Sequence, residues 1–205
     1  MIVSSIYLQG AYILGSYLLG SIPFGLLVAD ILGGGKDPRE VGSGNIGATN
    51  VSRAVGKAGG ILTLLLDAGK GFIPLFLARW IFPETQYSLF SMVALAAFLG
   101  HIFPLYLKFK GGKGVATAFG IVVFISPVAA LLLIVIFIVA LVITGYVSIG
   151  SLSSAFCFPL LIALLGPSRV YIALALIMAL TIFYTHRENI RKLIEGKENR
   201  FIRKP

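Results

Sequence analysis

The length of its apolar runs constrains this chain more than anything else. Residues 6–32 carry a single ionisable carboxylate, Asp30. A run of that length exceeds the ~20 residues with which an α-helix crosses a bilayer. Further apolar segments follow at 59–81, 89–107, 115–125, 128–146, 152–165 and 170–185. Lipid offers no partner to an unpaired backbone amide, so these spans must be helices, and the alternating polarity of a β-barrel is absent. Composition agrees: 12% of residues are charged and mean hydropathy is +0.96, whereas about a quarter of a soluble domain is charged. With no internal repeat, low-complexity tract or long linker, residues 1–205 read as one all-α, polytopic membrane helix bundle. The first run has no basic segment before it and no small-residue cleavage site, so it reads as a retained span, not a signal peptide.

Breaks in the pattern set the number of crossings. Proline and glycine stop or kink helices, which marks boundaries at residues 83–85, at Ser126 and Pro127, along the polar stretch 144–151, and at residues 166–168. Counting all of them gives seven transmembrane helices, with the N-terminus outside and the C-terminus cytoplasmic. Segment 115–125 is short for a span, about 16 Å as a helix. The five-helix alternative needs one helix of about 43 Å over 115–143, with Pro127 inside it. The seven-helix reading also puts Ser148 and Ser151 on the cytoplasmic side.

Three basic segments, 33–57, 108–117 and 185–205, hold 14 of the 17 lysines and arginines. The positive-inside rule and anionic inner-leaflet lipids account for the charge. They do not account for the glycines and asparagines among it. Nucleic acid is excluded as a partner, since no soluble basic module presents such a surface. One cysteine, Cys157, forms neither a disulfide nor a cysteine metal cluster within one chain. No metal or cofactor is expected.

The first segment contains VGSGNIGATNVSR, residues 41–53. Gly42, Gly44 and Gly47 spell G-x-G-x-x-G, but a dinucleotide fingerprint needs a βαβ unit, and here a charged loop precedes it. The physics of the glycines survives: successive N–H groups make a concave nest for phosphate oxygens. Ser43, Asn45, Thr49 and Asn50 add donors, and Arg53 supplies a bidentate cation. In the second segment, KGGKGVAT (110–117), Gly114 follows Lys113 where a Walker A loop has Ser or Thr, so ATP hydrolysis is not indicated. Gly111, Gly112 and Gly114 still allow close approach to an anion, with Lys113 as a point charge. In the third, His186 and Asn189 are three apart, and Arg187 and Arg191 four apart, so each pair shares a helix face; His186 is a candidate base or phosphate donor. The distal tail, 192–205, reads as amphipathic, solvated or lipid-facing. Within the spans, Asp67 and Lys70 are spaced to pair on one face, and His101 reads as a packed histidine with no acidic neighbour in sequence.

These residues resemble a family. GSIPFG (20–25), GSGNIGATNVSR (42–53), LDAGKG (66–71), GHIFPLYLKFKGGKGVAT (100–117) and HRENIRKLIEGKE (186–198) are similar to the bacterial acyl-phosphate:glycerol-3-phosphate acyltransferases. The resemblance implies transfer of a fatty acyl group from acyl phosphate to the 1-hydroxyl of sn-glycerol 3-phosphate, giving lysophosphatidic acid and phosphate, the first step of phospholipid synthesis. It implies a multi-pass protein of the bacterial inner membrane, an active site facing the cytoplasm, membrane lipids as surroundings, and contact with the soluble enzyme supplying acyl phosphate. By the same resemblance, Ser43, Gly44, Asn45, Thr49, Asn50 and Arg53 bind glycerol phosphate. Gly111, Gly112, Lys113 and Gly114 form a second cradle, Ser151 and Arg187 add phosphate contacts, and His186 and Asn189 orient the glycerol or assist proton transfer. The soluble H-x-x-x-x-D motif is absent, with Tyr106 and Arg191 where an Asp would follow His101 and His186, and no G-x-S-x-G elbow occurs. The rival reading is a transporter or exchanger of organic phosphates, which short helices and intramembrane charges also suit. A structural membrane subunit leaves the cradles unexplained.

Overall fold

The computed structural model describes residues 2–82 and 87–201, so the break expected at 83–85 lies outside the described residues. Helices account for the regular structure, and no strand occurs among the described residues. Backbone contacts group the chain into two compact units, Met1–Phe124 and Ile125–Pro205.

The first unit opens with α1, Ile2–Ser21, and α2, Phe24–Gly33. The span expected over 6–32 is therefore broken at Ile22 and Pro23. Proline has no N–H to donate and cannot continue the ladder. The break is held from outside, because the Lys70 ammonium bonds the Ile22 carbonyl at 2.8 Å. Segment 33–57, expected as a loop, is partly helical. A 3-10 turn at Pro38–Glu40 leads to α3, Ala48–Val55, and Gly56 separates it from α4, Lys57–Ile81. Then come α5, Tyr87–Ile102, a 3-10 turn at Leu105–Leu107, and the short α6, Val115–Ile125.

Small residues let these helices touch backbone to backbone, as they do where helices pack in lipid. A Cβ added at Gly20 would overlap Ala97 of α5, and one at Gly100 would overlap the Tyr17 carbonyl of α1. Gly71 lies likewise on Thr117, and Gly120 on Ala68, which locks α6 to α4. Tyr12 donates to the Pro74 carbonyl at 2.7 Å, and Tyr17 to that of Phe103 at 2.8 Å.

The second unit contains α7, Pro127–Thr144, α8, Val147–Leu165, α9, Val170–Thr185, and α10, Arg187–Ile194. Ser126 caps α7 by accepting from the Ala129 amide at 3.3 Å, so no continuous helix runs over 115–143. The stretch 144–151, expected as a turn, narrows to Gly145 and Tyr146. Gly145 takes the left-handed conformation, φ 80°, that closes a helix. Ser148 and Ser151 consequently sit in the first turns of α8 and are buried.

Among the described residues, five segments are long and apolar enough to cross a membrane: Ile6–Gly33, Lys57–Ile81, Tyr87–Leu107, Pro127–Thr144 and Val147–Leu165. Val170–Thr185 and Arg187–Ile194, bent by 53° at their junction, pass the same test only when taken together as one span. Segment Val115–Ile125 is shorter than these.

Candidate active site

In the first unit, the glycine-rich segment is organised around Asn50. This buried side chain donates to the carbonyls of Pro38 and, at 2.8 Å, of Asn45. Its Oδ1 accepts from the Ser43 amide at 3.0 Å. The amide thus draws three points of the segment onto the first turn of α3. Gly42 and Gly44 have φ of 58° and 68°, a region glycine enters without Cβ strain. A Cβ on Gly42 would meet Asn50 Oδ1 at 2.5 Å, Arg53 Cδ at 3.1 Å and Arg53 Nη1 at 3.4 Å. The Arg53 guanidinium therefore folds over Gly42, while Thr49 lies beside Asn50 in the first turn of α3. At the segment's entrance, Asp37 pairs with Arg39 at 2.6 Å. That hydrogen bond holds the Asp37 carboxyl below its usual range; its contribution is present above the usual carboxylate pKa and lost as pH falls through the lowered one.

The second glycine segment is built differently from the expected nest. The amides of Gly111 and Gly112 cap the end of α5, donating to the carbonyls of Ile102 and His101 at 3.0 and 3.1 Å. A Cβ at Gly111 would overlap the His101 carbonyl, one at Gly112 would overlap the His101 ring, and one at Gly114 would strike Phe98. These glycines are required first by the protein's own close packing. Lys113 lies between Gly112 and Gly114, half-buried, ahead of α6.

Beneath this segment lies a charge cluster that spacing showed only in part. Asp67 and Lys70 pair at 2.9 Å, as expected of an i,i+3 pair. His101 Nδ1 lies 3.5 Å from the same Asp67 oxygen, so the histidine does have an acidic neighbour, brought from another helix. All three are buried.

In the second unit, the polar residues collect where α8 begins and α9 ends. His186 terminates α9, and its Nδ1 lies 2.8 Å from the Ile182 carbonyl. A carbonyl only accepts, so Nδ1 carries a proton, and in the neutral tautomer Nε2 is the acceptor nitrogen. Asn189, on α10, donates to Glu198 Oε1 at 2.7 Å, and Ser148 donates to the same oxygen at 2.9 Å. The distal tail, expected to be solvated or lipid-facing, folds back instead: the Phe201 amide donates to Gly145 at 2.8 Å, and Arg200 to the Tyr146 hydroxyl at 3.2 Å. Ser151 donates to the Val147 carbonyl at 3.1 Å, one turn back. Arg187 lies exposed, with its guanidinium 4.5 Å from the Tyr184 ring centre. Glu198 and the His101–Asp67 contact are what sequence reasoning missed. An acid embedded in a tail of bases was the available signal for Glu198.

Residues 10–196 match the sequence model of the family described as glycerol-3-phosphate acyltransferase. The chain is 47% identical over 183 residues to the glycerol-3-phosphate acyltransferase of Geotalea daltonii, covering 89% of this chain and 92% of that one. It is 47% identical over 203 residues to that of Anaeromyxobacter dehalogenans, covering 98% and 96%. Two crystal structures of PlsY (YgiH), an integral membrane glycerol 3-phosphate acyltransferase, are similar as well. Its glycerol 3-phosphate form is 40% identical with a TM-score of 0.89, covering 95% of this chain and 96% of that one. Its lysophosphatidic acid form is 38% identical with a TM-score of 0.86, covering 94% of each.

Proposed function

The chain belongs to the glycerol-3-phosphate acyltransferase family, and from that premise we propose how its residues carry the reaction. The protein is an integral membrane acyltransferase that transfers a fatty acyl group to glycerol 3-phosphate, giving lysophosphatidic acid. The observation that carries this is the 40% identity to PlsY in its glycerol 3-phosphate form over nearly the full chain. The motifs at 42–53, 100–117 and 186–198 support acyl phosphate as the donor.

An acyl phosphate is a mixed anhydride, already activated, so catalysis requires mainly positioning, charge neutralisation and a route for one proton. The 1-hydroxyl oxygen attacks the acyl carbon. The bond from that carbon to the phosphate oxygen then breaks, and phosphate leaves with the electron pair. The hydroxyl proton passes to the departing phosphate, directly or through His186 Nε2. Ser43, Gly44, Asn45, Thr49 and Arg53 bind glycerol phosphate, with Asn50 holding their segment in shape. Lys113, on the segment formed by Gly111, Gly112 and Gly114, neutralises a phosphate. Ser151 and Arg187 add phosphate contacts, and Asn189 orients the glycerol. The breaks at Ser126 and at 166–168 support seven helices, and the positive-inside rule supports a bacterial inner-membrane protein, N-terminus outside, with its basic segments facing the cytoplasm and reaching the soluble enzyme that supplies acyl phosphate. Residues 1–205 act as one membrane domain.

Purified protein incubated with hexadecanoyl phosphate and labelled glycerol 3-phosphate should yield lysophosphatidic acid and an equal amount of phosphate. Folded protein that forms no product would overturn the reading and return the organic-phosphate exchanger. Lys113→Ala and His186→Ala should each lower kcat/KM at least about tenfold, the equivalent of ~1.4 kcal/mol of transition-state stabilisation.

A further inference from the structure

We propose that a groove on α8 and α9 seats the acyl chain of donor and product, and that Cys157 at its far end sets the chain length accepted. The groove, about 390 Å³, is lined by Leu152, Ser153, Phe156, Cys157 and Phe183. This rests on the acyltransferase reading and adds the location of the apolar half of its substrate.

The argument begins with register along α8. Ser148, Leu152 and Phe156 are spaced by four and form one stripe on a helix face. The stripe starts polar, where Ser148 meets Glu198 and, through it, Asn189, and becomes apolar within one turn. On α9, Phe183 precedes His186 by three residues, so the groove's other wall also ends at the polar cluster. From Ser148 to Cys157 the helix rises roughly 14 Å, about half the hydrocarbon thickness of a bilayer. That is the depth of a single leaflet, and so of one acyl chain whose headgroup stays at the polar end. Phe156 is 76% exposed, leaving the groove open along the bilayer so that a chain enters sideways without crossing water. Cys157 is half-buried and, of the groove's lining residues on α8, lies farthest from Ser148, where added bulk would block the longest chains first.

Two measurements decide it. Cys157→Trp should reduce kcat/KM for octadecanoyl phosphate at least about tenfold relative to decanoyl phosphate, the scale on which a pocket discriminates chain length. Its KM for glycerol 3-phosphate should stay unchanged. Leu131→Trp, exposed on α7 and outside the groove, should keep the wild-type profile. An unaltered profile in Cys157→Trp, or equal loss on every donor, overturns the proposal. The second measurement uses the unsubstituted protein, whose one cysteine is Cys157, so it does not depend on how the tryptophan variant folds. Hexadecanoyl lysophosphatidic acid should slow alkylation by N-ethylmaleimide, and hexadecanoyl lysophosphatidylcholine should not. Phe156→Cys in a Cys157→Ser background provides a more exposed probe of the same wall. Equal protection by both lipids, or by neither, overturns the groove as the acyl site. Wild-type protein making no product from any acyl phosphate would instead defeat the parent reading.

Discussion

Glu198 gathers two hydrogen bonds on one carboxylate oxygen, from Ser148 at the start of α8 and Asn189 on α10. An ionised carboxylate only accepts, and bonds to it are stronger than neutral ones. It therefore holds Asn189, a proposed substrate contact, in one orientation. Glu198→Ala should lower kcat/KM about tenfold or more, and Glu198→Gln, which keeps an acceptor oxygen, should retain most of the activity. Steady-state kinetics on both variants checks this. At the same scale, Asn50 illustrates a limit of reading side chains from sequence. Its residue type and neighbours marked it as a phosphate donor, yet its amide is engaged by Pro38, Asn45 and Ser43. Nothing in a linear motif separates a donor aimed at a ligand from one aimed at its own loop.

Among elements, the break between α1 and α2 depends on a charge carried by α4. Lys70 bridges the Asp67 carboxylate and the Ile22 carbonyl, while Asp67 also faces His101 of α5. Removing one partner leaves a buried, uncompensated carboxylate, a loss of about 3–5 kcal/mol. Lys70→Met should thus lower the midpoint of thermal unfolding in detergent sharply, and adding Asp67→Asn should recover much of it. An equally large loss in the double variant would show that the Ile22 contact dominates instead. The Asp67–Lys70 pair was legible because helical periodicity puts residues three apart side by side. The histidine was not, because its partner lies on a different helix. The glycines at 111, 112 and 114 were legible as close-approach positions, but the approaching groups are His101 and Phe98.

For the molecule as a whole, the measurable quantity is the side of the membrane on which each connection lies. Seven crossings require the α8–α9 connection to be external, whereas five crossings leave residues 152–185 as one passage. Arg169 is exposed in that connection, so Arg169→Cys in a Cys157→Ser background should react with an impermeant maleimide from outside only. Glu195→Cys should react from the cytoplasmic side only. Labelling of Arg169→Cys from the cytoplasm would remove the seven-helix topology. The matching of 115–125 and 170–185 by helices of the same bounds shows how strongly proline and glycine mark helix ends in apolar sequence. The interruption at Pro23 escaped because the hydropathy on either side is uninterrupted.

Sequence by itself determined that this chain is helical and membrane-embedded, since lipid permits no other pairing of its backbone over such runs. Motif order alone also pointed to the family, and the comparisons bear that out. Tertiary structure decided which polar groups turn inward onto the protein. It joined Asp67 to His101 and both Ser148 and Asn189 to Glu198, and it returned the tail to Gly145. Those contacts depend on side chains meeting across different helices, and the periodicity that reveals a single helix carries no record of its neighbours.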